Sequence, residues 1–414
     1  MATSIRFSRG AMLLIVGGII LSISTGLRQS FGLFLQPITG LGISTSAFSF
    51  AIALQSIIWG LSQPFIGMLA DRFGTRIVLI GSALLYGGGV LIMSAASDTL
   101  ALDAGTGLMV GLGVAGTNLG VIMGAVARAV PEHKRSQAIG AVAGLGSLGT
   151  LLLAPMGQWL IDGAGWRQAL VVFAVIAASM AVFALAIGGR SQEKAAAAAA
   201  PADDRSLSDV MREAVTHPGY LAMTAAFFAC GFQLMFITTH LPSYLAICGL
   251  PASLSASAIG LIGFCNAIGT YVVGLLGARY SQKRLLALVY LLRTVFIIAF
   301  LALPISPASL FIFAAAMGFL WLSVAPLVSG LVGRVFGLKH FGTLYGFVFL
   351  SHQVGSFCGV LLGGVTYDWS GRYDIAWGAL IAIGLLAFML QWPMDDRTPD
   401  ERRRDISRAA AATA

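Results

Sequence analysis

The sequence predicts an all-α membrane protein: twelve transmembrane helices in two pseudo-symmetric six-helix halves. Three observations predict it. Hydrophobic residues make up 57% of the 414 positions and charged residues only 10%, a balance that excludes an ordinary soluble multidomain protein. The apolar residues gather into twelve runs near or above the length that crosses a bilayer, each bounded by turn or charge signals. A short motif between the second and third runs reappears, weakened, between the eighth and ninth, the position that an internal six-span repeat requires.

In order, the runs cover 10–36, 44–70, 76–97, 101–129, 136–161, 166–188, 219–242, 253–277, 284–304, 307–335, 342–366 and 372–393. The first six compose an N-terminal half over 1–189. Residues 190–218, with the alanine stretch Ala195–Ala200, Pro201 and mixed charges, read as a cytoplasmic linker. The C-terminal half covers 219–394, and 395–414 form a basic cytoplasmic tail. The first run follows Arg6 and Arg9, as a secretory leader would. It is too long for one, lacks an Ala-x-Ala-like cleavage site and leads into Arg28 and Gln29, so it reads as a retained first span.

The net charge of +8 is explained by its placement. Arg72, Arg76, Arg128, Lys134, Arg135, Lys194, Arg205, Lys283, Arg284, Arg334, Lys339 and the tail from Arg397 to Arg408 fall on one side of this topology, and Arg167 and Arg372 on the other. Positive charge marks the cytoplasmic face. Both termini are therefore expected in the cytoplasm of a cell with a bacterial-type inner membrane, with the lipid bilayer and not a nucleic acid as partner. Cys230, Cys248, Cys265 and Cys358 lie in or beside spans with no paired framework, as small buried thiols do. No metal-ligand spacing, nucleophile elbow or phosphate-cradling glycine loop is present, so neither an enzyme nor a cofactor is expected.

The motif that opens the repeat is Gly67, Asp71, Arg72, Gly74 and Arg76, spaced G-x-L-x-D-R-x-G-x-R in a ten-residue polar interruption. A connection this short forces its two helices to be antiparallel neighbours, and an acid there accepts from helix-terminal amides. It resembles the loop between spans two and three of the major facilitator superfamily, and the resemblance implies a gating role for these five residues. The echo runs from Gly274 to Arg284, with Ala278 in place of the acid. Gly140, Gly144, Gly146 and Gly149 with Pro155 and Gly157 resemble the glycine-rich fifth span of that superfamily, with Thr150 where proline is usual. Gly111, Gly113 and Gly116 in the fourth run and Gly355, Gly359, Gly363 and Gly364 in the eleventh are further stripes that let helices approach closely.

Polar groups inside spans are costly and mark function. Asp98, Asp103, Asp162, Asp368 and Asp374 all lie at run ends or loops, which leaves no carboxylate relay at mid-span. Arg28, Asn118, Gln233, His240, Asn266, Arg293, His352 and Gln353 remain. Cations without acidic neighbours suit an anionic substrate. Arg28 is the leading candidate, flanked one turn to either side by Ser24 and Gly32. Arg293, in a run that is peripheral in the superfamily, reads as a structural pairing. Trp321 and Phe31 are candidate cavity walls.

The text RQSFGLFLQP from Arg28 to Pro37 and FGTLYGFVFLSHQVG from Phe341 to Gly355 resemble the monocarboxylate transporters and their bacterial oxalate:formate antiporter relatives. That resemblance implies a basic substrate-facing residue at Arg28, where the mammalian carriers have lysine. It also implies a basic residue near His352, where the oxalate/formate exchangers use lysine. The eighth run keeps Asn266 but has Thr270 in place of the arginine that grips a carboxylate in the family, which leaves the anion to Arg28 and His352. An imidazole binds a carboxylate when protonated and releases it when neutral. The expectation is a monomeric secondary carrier for a small monocarboxylate-like anion, working by alternating access, as a symporter or antiporter. Its substrate contacts would come from Arg28, Asn118, Asn266, Trp321, His352 and Gln353. The alternative is an efflux carrier for drugs, toxic metabolites or trivalent metalloids, the last held by Cys230, Cys248 and Cys265. A two-fold repeat favours a carrier over a channel.

Overall fold

The computed structural model describes residues 9–122, 132–187, 207–337, 340–399 and 401–402. Among the described residues twelve helices are long and apolar enough to cross a membrane: α1 Met12–Thr39, α2 Thr45–Ala70, α3 Thr75–Ala95, α4 Thr99–Ile122, α5 Val142–Ala164, α6 Trp166–Ala184, α7 Pro218–Ile247, α8 Ala252–Arg279, α9 Gln282–Ala302, α10 Pro307–Phe336, α11 Phe341–Ser370 and α12 Asp374–Gln391. A helix satisfies its own backbone, which is why lipid admits it. Its ends need other partners. Ser44 accepts from Ala47 at the start of α2, Asp98 from Ala101 at the start of α4, and Ser306 from Ser309 at the start of α10, where Pro307 stands in the first turn.

The interruption between the second and third runs is shorter in space than in sequence. The α2 helix continues through Gly67 to Phe73, and α3 begins at Thr75, so Gly74 alone makes the turn. Its φ of 95° is open to glycine and strained for any side chain. Arg72 lies against the Phe73 ring at 5.3 Å. The side chain of Asp71 and those of residues 132–141, with Lys134 and Arg135, lie outside the described set, as do Arg128, 190–206 and the tail beyond Arg402. In the echo, Lys283 pairs with Asp396 at 2.9 Å, and Asp396 also reaches Arg334 at 3.4 Å. The acid missing at Ala278 thus has a counterpart in the chain just after α12.

Packing repeats between the halves. In the first, α1 lies on α5, α3 on α6 and α2 on α4; in the second, α7 lies on α11, α9 on α12 and α8 on α10. Each half buries its own apolar core. The glycine stripes set the closest approaches. Gly149 on α5 lies against the Ser22 carbonyl of α1, and Gly355 and Gly359 on α11 lie against the Phe228 and Phe232 carbonyls of α7. In α4, Gly111 admits Ile58 and Gly113 admits Tyr86. Gly144 is different, with open space where a side chain would be.

The halves meet along α2–α11, α5–α8 and the contact of α1 with α7. At the end of the bundle that carries Asp368, its carboxylate accepts from the backbone amides of Thr45 and Ser46 at 3.1 and 2.7 Å. Gly364 lies against Ser49, and Gly32 against the carbonyls of Thr238 and Thr239. Nearer the middle, Asn266 donates to Ser147 at 3.0 Å. Toward the end where the chain enters α1 and leaves α12, Gly67, Gly342 and Gly346 face open space. Among the described residues the α2–α11 seam is closed toward the Asp368 end, where Gly364 meets Ser49, and parted toward the other, where Gly67 and Gly346 have no neighbour.

Candidate functional site

Among the described residues three of the twelve spans are interrupted, and each interruption carries a polar group. The regular part of α1 ends at Gln29, and a tighter turn follows over Phe31–Phe34. Arg28 therefore sits in the last helical turn, where carbonyls without amide partners favour a cation. In α4, Asp103–Met109 is a π-helical segment and the chain breaks at Asn118. In α10 the helix stops at Leu320 and resumes at Val324.

Arg28 points to the junction of the halves. Its NH2 donates to Ser56 Oγ of α2 over 3.4 Å, and its guanidinium carbon lies 4.7 Å from the centroid of the Trp59 ring. Its Nε is buried with no hydrogen-bond partner among the described residues. Trp59 in turn meets Phe349 of α11 edge to face, centroids 5.1 Å apart, and Phe349 stacks on His352 at 5.9 Å. Phe227 of α7 lies 4.9 Å from His352, centroid to centroid, with its ring tilted. Gly60 of α2 leaves room for Gln353, whose amide oxygen and nitrogen are both buried and unpartnered among the described residues, as is Nδ1 of His352. Arg28, His352 and Gln353 are thus brought into one neighbourhood through Trp59 and Gly60.

Asn118 belongs to its edge. Trp59 Nε1 donates to Gln63 at 2.9 Å, and the same Gln63 oxygen accepts from Asn118 Nδ2. Asn118 also donates to Ala115 O and accepts from Gly120 N, so its amide closes the break in α4. Asn266 is engaged throughout: it donates to Ser147 at 3.0 Å and accepts from Thr270 at 3.1 Å and from the Leu322 amide at 3.0 Å. It ties α8 to α5 and to the interruption of α10. Trp321 stands at that interruption, 1% exposed, with its carbonyl accepting from Arg293 NH2. Arg293 also donates from Nε to Leu320 O at 3.0 Å and is 0% exposed. The guanidinium thus caps the open carbonyl end of the first half of α10. Gln233 donates to Leu380 O at 3.1 Å, and His240 bonds Val360 O and Tyr373 OH at 2.9 and 3.3 Å; both tie α7 to its own half.

Sequence reasoning passed over Trp59, Ser56, Phe349 and Phe227, and also Gln55 and Gln63. The two glutamines carried a usable signal, since an amide inside an apolar run is costly wherever it stands. Gln55 is fully buried with both amide atoms unpartnered among the described residues. The three thiols of the metalloid alternative are not gathered: among the described residues no group of three His, Cys, Asp or Glu is placed to hold a metal. A cleft of about 780 Å³ lies at the parted end, lined by Asp209, Arg212, Glu213 and Arg334 among others. It is formed by the C-terminal half and the short helix Leu207–Thr216, and Arg28 is not among its lining residues.

The profile of the Major Facilitator Superfamily matches residues 14–332 and 259–413. Among curated relatives, an uncharacterised MFS-type transporter, YhjX of Escherichia coli K12, is 26% identical over 363 residues, 86% of this chain and 88% of that one. Monocarboxylate transporter 13 of Rattus norvegicus is 24% identical across 87% of this chain and 83% of its own. The oxalate:formate antiporter of Oxalobacter formigenes is 23% identical across 91% of this chain and 90% of its own. Two six-span halves, broken spans with polar groups at their junction and relatives matched over most of their length carry one conclusion: this chain is a multi-pass membrane transporter, not an enzyme, and belongs to the major facilitator superfamily.

Proposed function

We propose that the protein carries a small, monocarboxylate-like organic anion across a bacterial-type cytoplasmic membrane by alternating access, as a monomer with both termini in the cytoplasm. The observation that carries this reading is Arg28. It is a guanidinium inside a membrane-spanning bundle with a buried, unpartnered Nε and no carboxylate in ion-pair reach among the described residues. A cation left so is costly unless a ligand supplies the missing charge. His352 and Gln353 offer further unpartnered groups nearby, and the imidazole is the group through which proton movement can accompany the anion. Asn118, Asn266 and Trp321 hold the interrupted spans in shape around the site. The relatives named for monocarboxylate and for oxalate and formate transport support the anionic class.

In this reading the parted end faces the cytoplasm, and the structure is the inward-facing member of the cycle. Gly67, Asp71, Arg72, Gly74 and Arg76 stabilise the alternative state, in which the cytoplasmic ends of the halves come together. The test is binding and uptake with purified full-length protein, using thermal stabilisation by a panel of monocarboxylates followed by flux into proteoliposomes. Arg28→Gln is expected to abolish both, and Arg28→Lys to keep weaker binding because a point charge cannot grip a carboxylate in two places. Undiminished binding by Arg28→Gln, or a neutral or cationic substrate, overturns the proposal.

A further inference from the structure

The surroundings of Arg28 restrict the shape of the anion as well as its charge. The Arg28 guanidinium lies over the Trp59 ring, its carbon 4.7 Å from the ring centroid. One terminal nitrogen already donates to Ser56. The Arg28 Nε is buried and has no hydrogen-bond partner among the described residues. A carboxylate bound edge-on to a guanidinium lies in the plane of that guanidinium. Since the guanidinium lies against the indole, a carboxylate bound to it sits beside the aromatic surface.

The surface does not end at Trp59. Phe349 meets it at 5.1 Å with an interplanar angle of 68°, His352 is stacked on Phe349 at 5.9 Å and 5°, and Phe227 stands 4.9 Å from His352. Trp59 comes from one half and Phe349, His352 and Phe227 from the other. An aromatic wall drawn from both halves sits beside one cationic edge. No carboxylate and no second free cation among the described residues is needed to build it.

We propose that this pairing of a cation with an aromatic wall selects carboxylates whose neighbouring carbon is planar and conjugated, aryl carboxylates above all, and that Trp59 is the specificity-determining residue. The proposal rests on the reading of Arg28 as the anion-binding charge. A flat body conjugated with the carboxylate lays its face along the aromatic wall. A tetrahedral carbon in the same place breaks that planarity and loses the stacking contact.

The experiment compares two pairs matched in size: benzoate with cyclohexanecarboxylate, and acrylate with propionate. Full-length purified protein is titrated with each, and the concentration giving half-maximal thermal stabilisation is read. The planar member of each pair is expected to act at about five- to tenfold lower concentration, the scale of one aromatic stacking contact. Trp59→Leu should bring each pair to within about twofold, and Trp59→Phe, which keeps a ring face, should retain the preference. Phe349→Leu provides a second variant and should reduce the benzoate preference if Trp59→Leu does not fold. Equal potency within both pairs, with all four ligands still lost in Arg28→Gln, overturns the shape selection and leaves the anion site standing. Benzoate binding undiminished in Arg28→Gln overturns both.

Discussion

The backbone amide of Ser46, in the first turn of α2, donates to the carboxylate of Asp368 at the far end of α11 over 2.7 Å. The neighbouring amide of Thr45 donates to the other carboxylate oxygen at 3.1 Å. One side chain of the C-terminal half thus caps a helix of the N-terminal half, and the helix dipole and the charge reinforce one another. This contact exists only while the halves are together at that end. Asp368→Asn is therefore expected to favour opening there by about tenfold, since a hydrogen bond to a charged group contributes about 1.5–3 kcal/mol. A cysteine placed at Ser49, buried against Gly364, reports on it: its labelling should speed up in Asp368→Asn. An unchanged rate would show that the cap is decorative.

Two glycines separate stability from cycling. Gly149 meets α1 within one half, and Gly32 meets α7 across the two halves. In both, a methyl group would fall on a backbone carbonyl, which cannot step aside, and overpacking of this kind costs about 1–3 kcal/mol. Gly149→Ala should lower thermal stability in every state. Gly32→Ala should leave the fold intact but penalise closure of the Asp368 end, so that the Ser49 cysteine labels faster while the melting temperature changes less. The same loss of melting temperature in both, without a labelling difference, would count against the two-state reading.

The spans themselves were legible because a bilayer imposes a length and a composition that a sequence must meet. The repeat was legible because Gly67–Arg76 and Gly274–Arg284 fall at matching places. Arg28 was legible as an arginine in an apolar run. What sequence could not supply was the partner of each polar group. Arg293, read as structural, caps Leu320 and Trp321, twenty-seven and twenty-eight residues away. Asp368, read as an outer-end acid, caps a helix 322 residues away. Trp59 and Phe349 looked like any aromatic in a span, because their meeting depends on how two halves dock. In sequence the ten-residue interruption at Gly67–Arg76 reads as a connection because its polar residues resemble a loop. Seven of its residues, from Gly67 to Phe73, continue the helix, since charged side chains at a membrane surface are solvated without leaving it.

Orientation can be read from thiols at opposite ends. Cys248 is exposed in the short connection after α7, on the Asp368 side of the bundle. Ser208 lies in the helix that precedes α7, at the parted end. With the termini in the cytoplasm, an impermeant maleimide added to intact cells should modify Cys248 and spare a cysteine introduced at Ser208. Opening the cells should expose the latter. The reverse pattern would invert the proposed topology.

Beyond α12 the carboxylate of Asp395 accepts from the Arg397 side chain at 2.9 Å and pairs with Arg402 at 3.0 Å. Hydrogen bonds from Arg397 hold its pKa down at about 2, from an ordinary 3.8. A depressed carboxylate stabilises the fold above its ordinary pKa and loses that contribution as pH falls. Asp395→Asn should therefore melt lower than the parent at neutral pH, and the gap should narrow as pH drops from 3.8 toward about 2. A gap that does not change with pH would assign the effect to shape and not to charge.

Arg293 offers the sharpest contrast with Arg28, because both are arginines within spans and they are expected to fail differently. The Arg293 side chain is fully buried and donates through Nε and NH2 to the carbonyls that end the first half of α10. Removing it leaves those carbonyls facing apolar surroundings, and each unsatisfied buried group costs about 1–3 kcal/mol. Arg293→Met, which keeps length without donors, should lower the melting temperature by several degrees and reduce yield. Arg293→Lys should recover only part of this, since one ammonium cannot reproduce a fork that spans two successive carbonyls. Arg28→Gln should do the opposite, preserving or raising the melting temperature of the ligand-free protein, because it removes a buried charge that lacks a protein counter-ion, while losing stabilisation by carboxylates. Both variants are compared with and without benzoate in one thermal assay. If Arg293→Met melts like the parent yet loses the benzoate response, the guanidinium of α9 is part of the anion site and its role as a cap for α10 is wrong.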